Sequence, residues 1–261
     1  MDLNADLGER ADAIASGLDE RFMAIVSSVN VACGGHAGNR STIETTVRAA
    51  QRLGVAIGAH PGYADPARFG RVDLDLPPEE ITRSVGAQVE AIAAACASIG
   101  ATLRHVKPHG ALYNRAARDD RVARAIADGV LRVSRNLILV GLAGSTMLEV
   151  FRRAGFEVAA EAFADRRYEA DGSLRPRSRG GALILDPAEA AAQAISIACD
   201  HRVTAGDGSL VPIEAQTICI HSDTPGGLGI AGAVRATLEA AGVPVRALGG
   251  QRPAGAGPRT A

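Results

Sequence analysis

The sequence predicts an α/β fold, a TIM-like barrel of seven or eight parallel strands, and three observations carry that expectation. Short apolar runs alternate with amphipathic segments from one end to the other, the pattern of a parallel sheet with helical crossovers. The length, 261 residues, suits one barrel, since such units run to about 250 residues. Seven apolar runs qualify as strands, at 2–6, 28–33, 55–59, 103–107, 137–142, 157–163 and 217–221, with an eighth if 243–248 counts. That number favours closure over an open sheet. The expected organisation is one barrel domain over 1–248 and a Gly-, Pro-, Arg- and Ala-rich tail, 249–261, expected to be disordered.

Most of the strand candidates are near-continuously apolar, as strands covered on both faces are. Between them lie helices with legible ends. Ser41-Thr-Ile-Glu44 reads as a capping box, followed by the stripe Ile43, Val47, Ala50 and Leu53 and the stop Gly54. Pro77-Pro78-Glu79-Glu80 opens the next helix, with Ile81, Val85, Gln88, Ile92, Cys96 and Ile99 on one face and Gly100 after it. Further helices are expected near 120–134, 145–154, 187–201 and 227–241.

Composition excludes several classes of function. Net charge is −1 and the basic residues form no block, so neither nucleic acid nor an anionic membrane is an expected partner. No apolar run reaches membrane-spanning length, and the acidic N-terminus opens at once into patterned sequence, so a soluble cytoplasmic protein is expected. The four cysteines, Cys33, Cys96, Cys199 and Cys219, are far apart and form neither a disulfide framework nor a zinc knuckle. Gly227-Leu-Gly229-Ile-Ala-Gly232 matches a dinucleotide fingerprint, but the following apolar run, 243–248, carries no acid to bind a ribose. Gly141-Leu-Ala-Gly144-Ser145 is not a nucleophile elbow, which leaves Ser145 as a helix cap, and there is no Walker A motif.

The informative residues are polar, and they sit at the carboxyl ends of the predicted strands, where a parallel barrel carries its chemistry. The first strand delivers Asn4, Asp6 and Glu9, and the second delivers Asn30 and His36. The third ends in Gly58-Ala-His60-Pro-Gly-Tyr63, and the fourth leads to Lys107, His109, Tyr113 and Asn114. Glu161, Asp165 and Arg166 follow at the sixth, and His221, Asp223 and Thr224 at the seventh. Lys107 is the only lysine among 28 basic residues. A compact ammonium that loses its proton when desolvated differs from an always-charged guanidinium fork, so this position is expected to need lysine. His36, His60 and His109 each adjoin glycine or proline, where backbone can approach a ligand. With Asp6, Lys107 and Asp223 they are the catalytic candidates. Asp6, His60 and His109 are also the candidates for a metal. His105, deeper in its strand, and His201, at a helix end, are expected to be structural.

Asp2–Glu9 (D-L-N-A-D-L-G-E), Ser28–Gly38 (S-V-N-V-A-C-G-G-H-A-G), G-A-H-P-G-Y at 58–63, V-K-P-H-G-A-L-Y-N at 106–114, F-A-D-R-R-Y at 163–168 and H-S-D-T-P-G at 221–226 together resemble the LamB/YcsF family, in family order across roughly 1–245. The resemblance implies a distorted barrel of the glycoside hydrolase/deacetylase type. It also implies ATP-dependent cleavage of 5-oxo-L-proline to L-glutamate by a complex with B and C subunits, with Mg²⁺ accompanying the ATP. On that reading Lys107 holds the transferred phosphoryl group or an oxyanion, and His60 and His109 move protons. Asp6 and Asp223 hold Mg²⁺ or orient water, and Arg166 pairs with the substrate carboxylate. Asn4, Asn30, Tyr63, Tyr113, Asn114, Asp165, His221 and Thr224 are further candidates for substrate or nucleotide binding. Gly35, Ser222 and the stretch Phe69-Gly-Arg71-Val72 depart from the family pattern. The rival expectation is a metal-dependent hydrolase or deacetylase that works without ATP.

Overall fold

The computed structural model describes residues 1–249. The tail expected from 249 onward lies, apart from Gly249, outside the described residues. Seven parallel strands close into a barrel: β1 (Asp2–Leu7), β2 (Ser28–Ala32), β3 (Ala56–His60), β4 (Leu103–Val106), β5 (Ile138–Leu142), β6 (Val158–Phe163) and, last in the ring, Thr217–Cys219, which pairs with both β6 and β1. A short antiparallel hairpin, β7 (Arg202–Thr204) with β8 (Leu210–Pro212), precedes that closing strand, which is therefore β9. The helices are α1 (Ala11–Ala15), α2 (Leu18–Met23), α3 (Arg40–Leu53), α4 (Pro78–Ser98), α5 (Gly110–Ala116), α6 (Asp120–Leu131), α7 (Thr146–Arg153), α8 (Pro187–Ile195), continued by a π-turn, and α9 (Gly227–Ala240). No helix among the described residues is long and apolar enough to cross a membrane.

The closed barrel and its seven strands are those expected; the details correct the expectation in three places. The run 243–248 is not an eighth strand. It returns beneath the barrel, where the Met1 amine donates to the Pro244 carbonyl (2.9 Å) and Arg246 N–H to the Met1 carbonyl (2.9 Å). The cap of α3 is Asn39, not Ser41: Asn39 Oδ1 accepts from Thr42 N–H (3.1 Å) and Thr42 Oγ1 from Asn39 N–H (2.8 Å). Nor are all the strands apolar on both faces: β5 is, but β1 is not. Side chains alternate along a strand, so Leu3, Ala5 and Leu7 pack outward against helices while Asp2, Asn4 and Asp6 point into the barrel.

The interior is a ladder of polar layers. At the bottom, Ser28 and Thr217 hydroxyls donate to the Asp2 carboxylate at 2.8 Å and 2.5 Å. Above them, Asn4 donates to Glu161 (3.0 Å) and to Thr217 Oγ1 (2.7 Å), and Asn30 donates to Asn4 Oδ1 (2.8 Å). His105, structural as expected, places Nε2 at 2.9 Å from Asn30 Oδ1. Across from that ring, Gly58 has no side chain because there is no room for one: a Cβ would lie 2.1 Å from His105 Nε2. Gly58→Ala is therefore expected to force the layer apart and destabilise the fold by about 2–3 kcal/mol through overpacking. The urea midpoint is the measurement; an unchanged midpoint would mean that His105 has another place to go.

Candidate active site

The top layer of this ladder is the floor of a cavity of about 1270 Å³ at the carboxyl ends of the strands. Lys107, just past β4, is 3% exposed. Its Nζ lies 2.9 Å from Glu161 Oε1, 3.0 Å from Asp6 Oδ1, 3.1 Å from Asn4 Oδ1 and 3.0 Å from Cys219 Sγ. Burial opposes the charge, but the two carboxylates more than offset it and hold the ammonium well above the ordinary lysine range. This lysine is a fixed cation. Its three N–H donors face four acceptors, so it reaches a ligand only by releasing one of them.

Asp6 joins the lysine to a histidine cluster. Its Oδ1 accepts from Lys107 and from Asn30 (2.8 Å), and its Oδ2 lies 3.2 Å from His60 Nε2. Against the desolvation that would raise it, His60 and Lys107 keep this carboxylate well below its usual range. His60 Nδ1 donates to the Lys107 carbonyl (2.7 Å), and His109 Nε2 donates to the Phe69 carbonyl (2.9 Å). Those carbonyls accept only, so each ring has one nitrogen committed as a donor. The remaining nitrogens, His60 Nε2 and His109 Nδ1, face each other at 3.0 Å. Two lone pairs cannot share that gap, so a cation, either a third proton or a metal ion, belongs between them and Asp6.

Glu9 closes the cluster, with Oε1 3.5 Å from His109 Nδ1 and 3.0 Å from His36 Nε2. Glu9, His36, His60 and His109 together form a group able to hold a metal. His36, however, stacks flat on His109, with centroids 3.6 Å apart and rings 7° from parallel. Two parallel rings cannot both aim in-plane lone pairs at one ion, so His36 stands behind the cluster as a partner of Glu9. Backbone at Gly70, in the left-handed region at φ 60°, comes close enough to hold it there: a Cβ would fall 2.8 Å from His36 Cβ. In this chain Gln88 clamps Gly62 from both sides (3.0 and 2.8 Å) and occupies the space beside Gly35, where a Cβ would meet it at 2.3 Å. The hydroxyl of Ser222 donates to the Asp6 carbonyl at 2.7 Å.

On the other side of Lys107, His221 stacks on Phe163, centroids 5.4 Å apart, and its Nδ1 donates to the fully buried Asp165 (2.9 Å). Thr224 Oγ1 also donates to Asp165 (2.7 Å). Arg166 lines the cavity, is 6% exposed and donates to the Arg175 carbonyl (2.7 Å), while its Nε has no partner among the described residues. Burial and the nearby Arg177 lower it to about 10. Among the sequence candidates, Asp6, His60, Lys107, His109, Tyr113, Asn114, Arg166, His221 and Asp223 line the cavity. Asn4, Asn30, Asp165 and Thr224 support it from beneath or behind. Asp223 is at the rim, paired with Arg71 and Arg177 rather than with Asp6. Tyr63 is a correction: it is buried outside the cavity lining, and its hydroxyl donates to Asp73 (3.3 Å). The sequence places Glu9 and Glu161 at strand ends but does not show that Glu161 pairs with the lysine, that Glu9 joins the histidines or that 169–179 forms a wall. A charge inside the apolar β6 is the available signal for Glu161.

Burial makes the site sensitive to acid. His36 and His105 are both pushed down to about 3 by desolvation, and His109 is also held well below its ordinary value. These rings are neutral when folded and take up protons on unfolding, so their contribution is lost as pH falls below about 6.5. Glu9 acts in the opposite sense: desolvation and Asp6 raise it to about 7, which costs stability as pH rises from about 4.5 to 7. Three imidazoles against one carboxylate leave a net loss on the order of 2 kcal/mol between pH 7.5 and 5.5. Urea denaturation at the two pH values measures it; equal midpoints would contradict the assignment.

The family model described as "LamB/YcsF family" matches residues 1–252. The chain is 52% identical to the A subunit of 5-oxoprolinase from Chloroflexus aggregans over 246 residues, covering 94% of this chain and 98% of that one. It is 53% identical to the protein of the same name from Chloroflexus aurantiacus, covering 95% and 98%. Its fold is similar to the crystal structure of a lactam utilization protein from Thermus thermophilus, with a TM-score of 0.87 and 46% identity over 94% of this chain and 98% of that one.

Proposed function

The chain belongs to the LamB/YcsF family, and on that premise we propose that it is the A subunit of an ATP-dependent 5-oxoprolinase. With B and C subunits it would open 5-oxo-L-proline to L-glutamate while ATP is hydrolysed to ADP and phosphate. The names of relatives about half identical over nearly the whole chain support this reading. The structural observation that carries it is the buried acid–lysine–histidine floor opening into a cavity large enough for a small lactam.

A five-membered lactam is an unactivated amide, so its carbonyl oxygen must become a leaving group. Phosphoryl transfer from ATP to that oxygen achieves this. Water then adds to the carbon, the C–N bond breaks with its electron pair on nitrogen, nitrogen takes a proton, and the acyl phosphate is hydrolysed. Positioning and charge neutralisation dominate such chemistry. Arg166, buried and without a carboxylate partner among the described residues, suits the substrate carboxylate. Lys107 and Asp6 fix the field of the floor, and His60 and His109 are placed to hold, with Asp6, the positive charge called for between them.

A divalent cation fits the floor: the gap between His60 Nε2 and His109 Nδ1 calls for a positive species, and both rings are oriented by backbone carbonyls as metal-binding histidines are. Asp6, Glu9, His60 and His109 would hold it. With two imidazoles in the set, zinc or manganese suits it better than magnesium, which would enter with ATP. Bound there, the ion would supply Lewis-acid charge to a carbonyl or phosphoryl oxygen. The same convergence favours the second reading, a metal-dependent hydrolase without ATP.

Measuring ADP and glutamate formed from 5-oxoproline and Mg-ATP, with the chain alone and with its B and C partners, separates the two. Equimolar products in the mixture alone are expected. Chelator-sensitive hydrolysis by the isolated chain without ATP would establish the second reading.

A further inference from the structure

Beyond the floor, the cavity carries a second proton-handling group. Asp165 is fully buried and accepts three kinds of donor: the His221 backbone N–H (3.1 Å), His221 Nδ1 (2.9 Å) and Thr224 Oγ1 (2.7 Å). Although burial would raise it, His221 and Thr224 keep its carboxylate below the usual range. Such an acceptor commits His221 Nδ1 as a donor and leaves Nε2 as the basic nitrogen. Nε2 makes no hydrogen bond among the described residues, and the ring lines the cavity, flat against Phe163 with 15° between the planes. A ring nitrogen of His221, a carboxylate oxygen of Asp6 and Cys219 Sγ all lie within 4.8 Å of one another. The imidazole therefore reaches the same point of the cavity as the lysine-centred floor, from the opposite side to His60 and His109. A buried carboxylate behind an imidazole with one free nitrogen is the arrangement by which a histidine takes a proton and is stabilised while it holds it.

The geometry points to His221 as a catalytic proton shuttle for ring opening, with Asp165 as its positioning residue; this rests on the 5-oxoprolinase reading. As the C–O bond forms, Nε2 takes a proton from the attacking water. As the C–N bond breaks and its pair remains on the lactam nitrogen, the imidazolium returns that proton to the nitrogen. The histidine ends as it began. The division of labour follows from position: the Asp6–His60–His109 side holds fixed charge, and the Asp165–His221 side carries the moving proton.

The test is steady-state kinetics of 5-oxoproline turnover in the complex reconstituted with B and C subunits. In H221A the expected result is a kcat lower by at least 100-fold, a KM within threefold of wild type and recovery of at least tenfold on adding imidazole, which the cavity admits. D165N is expected to show a similar kcat loss, with Asp165→Glu recovering part of it. If circular dichroism shows H221A unfolded, H221Q, which keeps the side-chain volume, takes its place in the comparison. A kcat within threefold of wild type, a loss confined to KM, or a kcat loss that imidazole does not relieve overturns the assignment while leaving the 5-oxoprolinase reading intact. A wild-type complex without turnover overturns both.

Discussion

Lys107→Met is expected to lower stability by about 3–5 kcal/mol, the cost of stripping the partner from buried charge. For a chain of this size that corresponds to a fall in Tm of roughly 10 °C. The side chain of Glu161 is 0% exposed and that of Asp6 is 9% exposed, and both face the ammonium at 3.0 Å or less. Without it two carboxylates share a dry interior with no counterion but the histidine cluster. Lys107→Arg is expected to do little better. The four acceptors converge on one point at 2.9–3.1 Å, which fits a compact ammonium and not a planar fork. Thermal unfolding of both variants, with turnover in the reconstituted complex, is the measurement. A Lys107→Arg variant with wild-type Tm and activity would mean that the floor reorganises freely and that the single lysine is incidental.

Asp6→Asn is expected to separate chemistry from folding. The replacement is nearly isosteric and Glu161 still neutralises Lys107, so Tm is expected to fall by less than in Lys107→Met. Turnover is expected to drop about 10³-fold, because the amide cannot neutralise the cation called for between His60 and His109. If the cation is a metal ion, its stoichiometry by elemental analysis falls in the same variant. Activity within tenfold of wild type would remove Asp6 from the reacting groups.

Much of the site is legible in the sequence, for a local reason. A strand end followed by Gly, Pro and a polar side chain is a short-range pattern, and it picks out Asp6, His60, Lys107, His109 and His221. What that pattern cannot supply is direction. Tyr63 lies three residues past His60 and satisfies the same rule, yet its hydroxyl donates to Asp73 and it does not line the cavity, while Gln88, 26 residues on, holds the neighbouring Gly62. Asn4 and Asn30, polar residues of the first two strands, sit one layer lower, joined to each other and to His105. The strands read as apolar on both faces because Leu, Ile, Val and Ala dominate and no strand holds more than three polar residues. The interior-facing positions Asp2, Asn4 and Asp6 become a pattern only once the barrel closes around them.

The sequence by itself determined the alternation of strands and helices, and with it a parallel barrel. Period-two and period-3.6 burial are properties of neighbouring residues, and the limits of each element are set by local caps and stops. It determined also that one ammonium would stand at the end of the fourth strand. Tertiary structure decided what that ammonium does. Its partners Asp6, Asn4 and Cys219 come from 101, 103 and 112 residues away, and with Glu161 they hold its charge in a place where burial alone would oppose it. The same closure left 243–248 outside the sheet, since β9 already satisfies the free edges of β1 and β6. Which charges meet in a dry interior is settled by long-range packing, and there the two carboxylates of Asp6 and Glu161 reverse the effect of burial on Lys107.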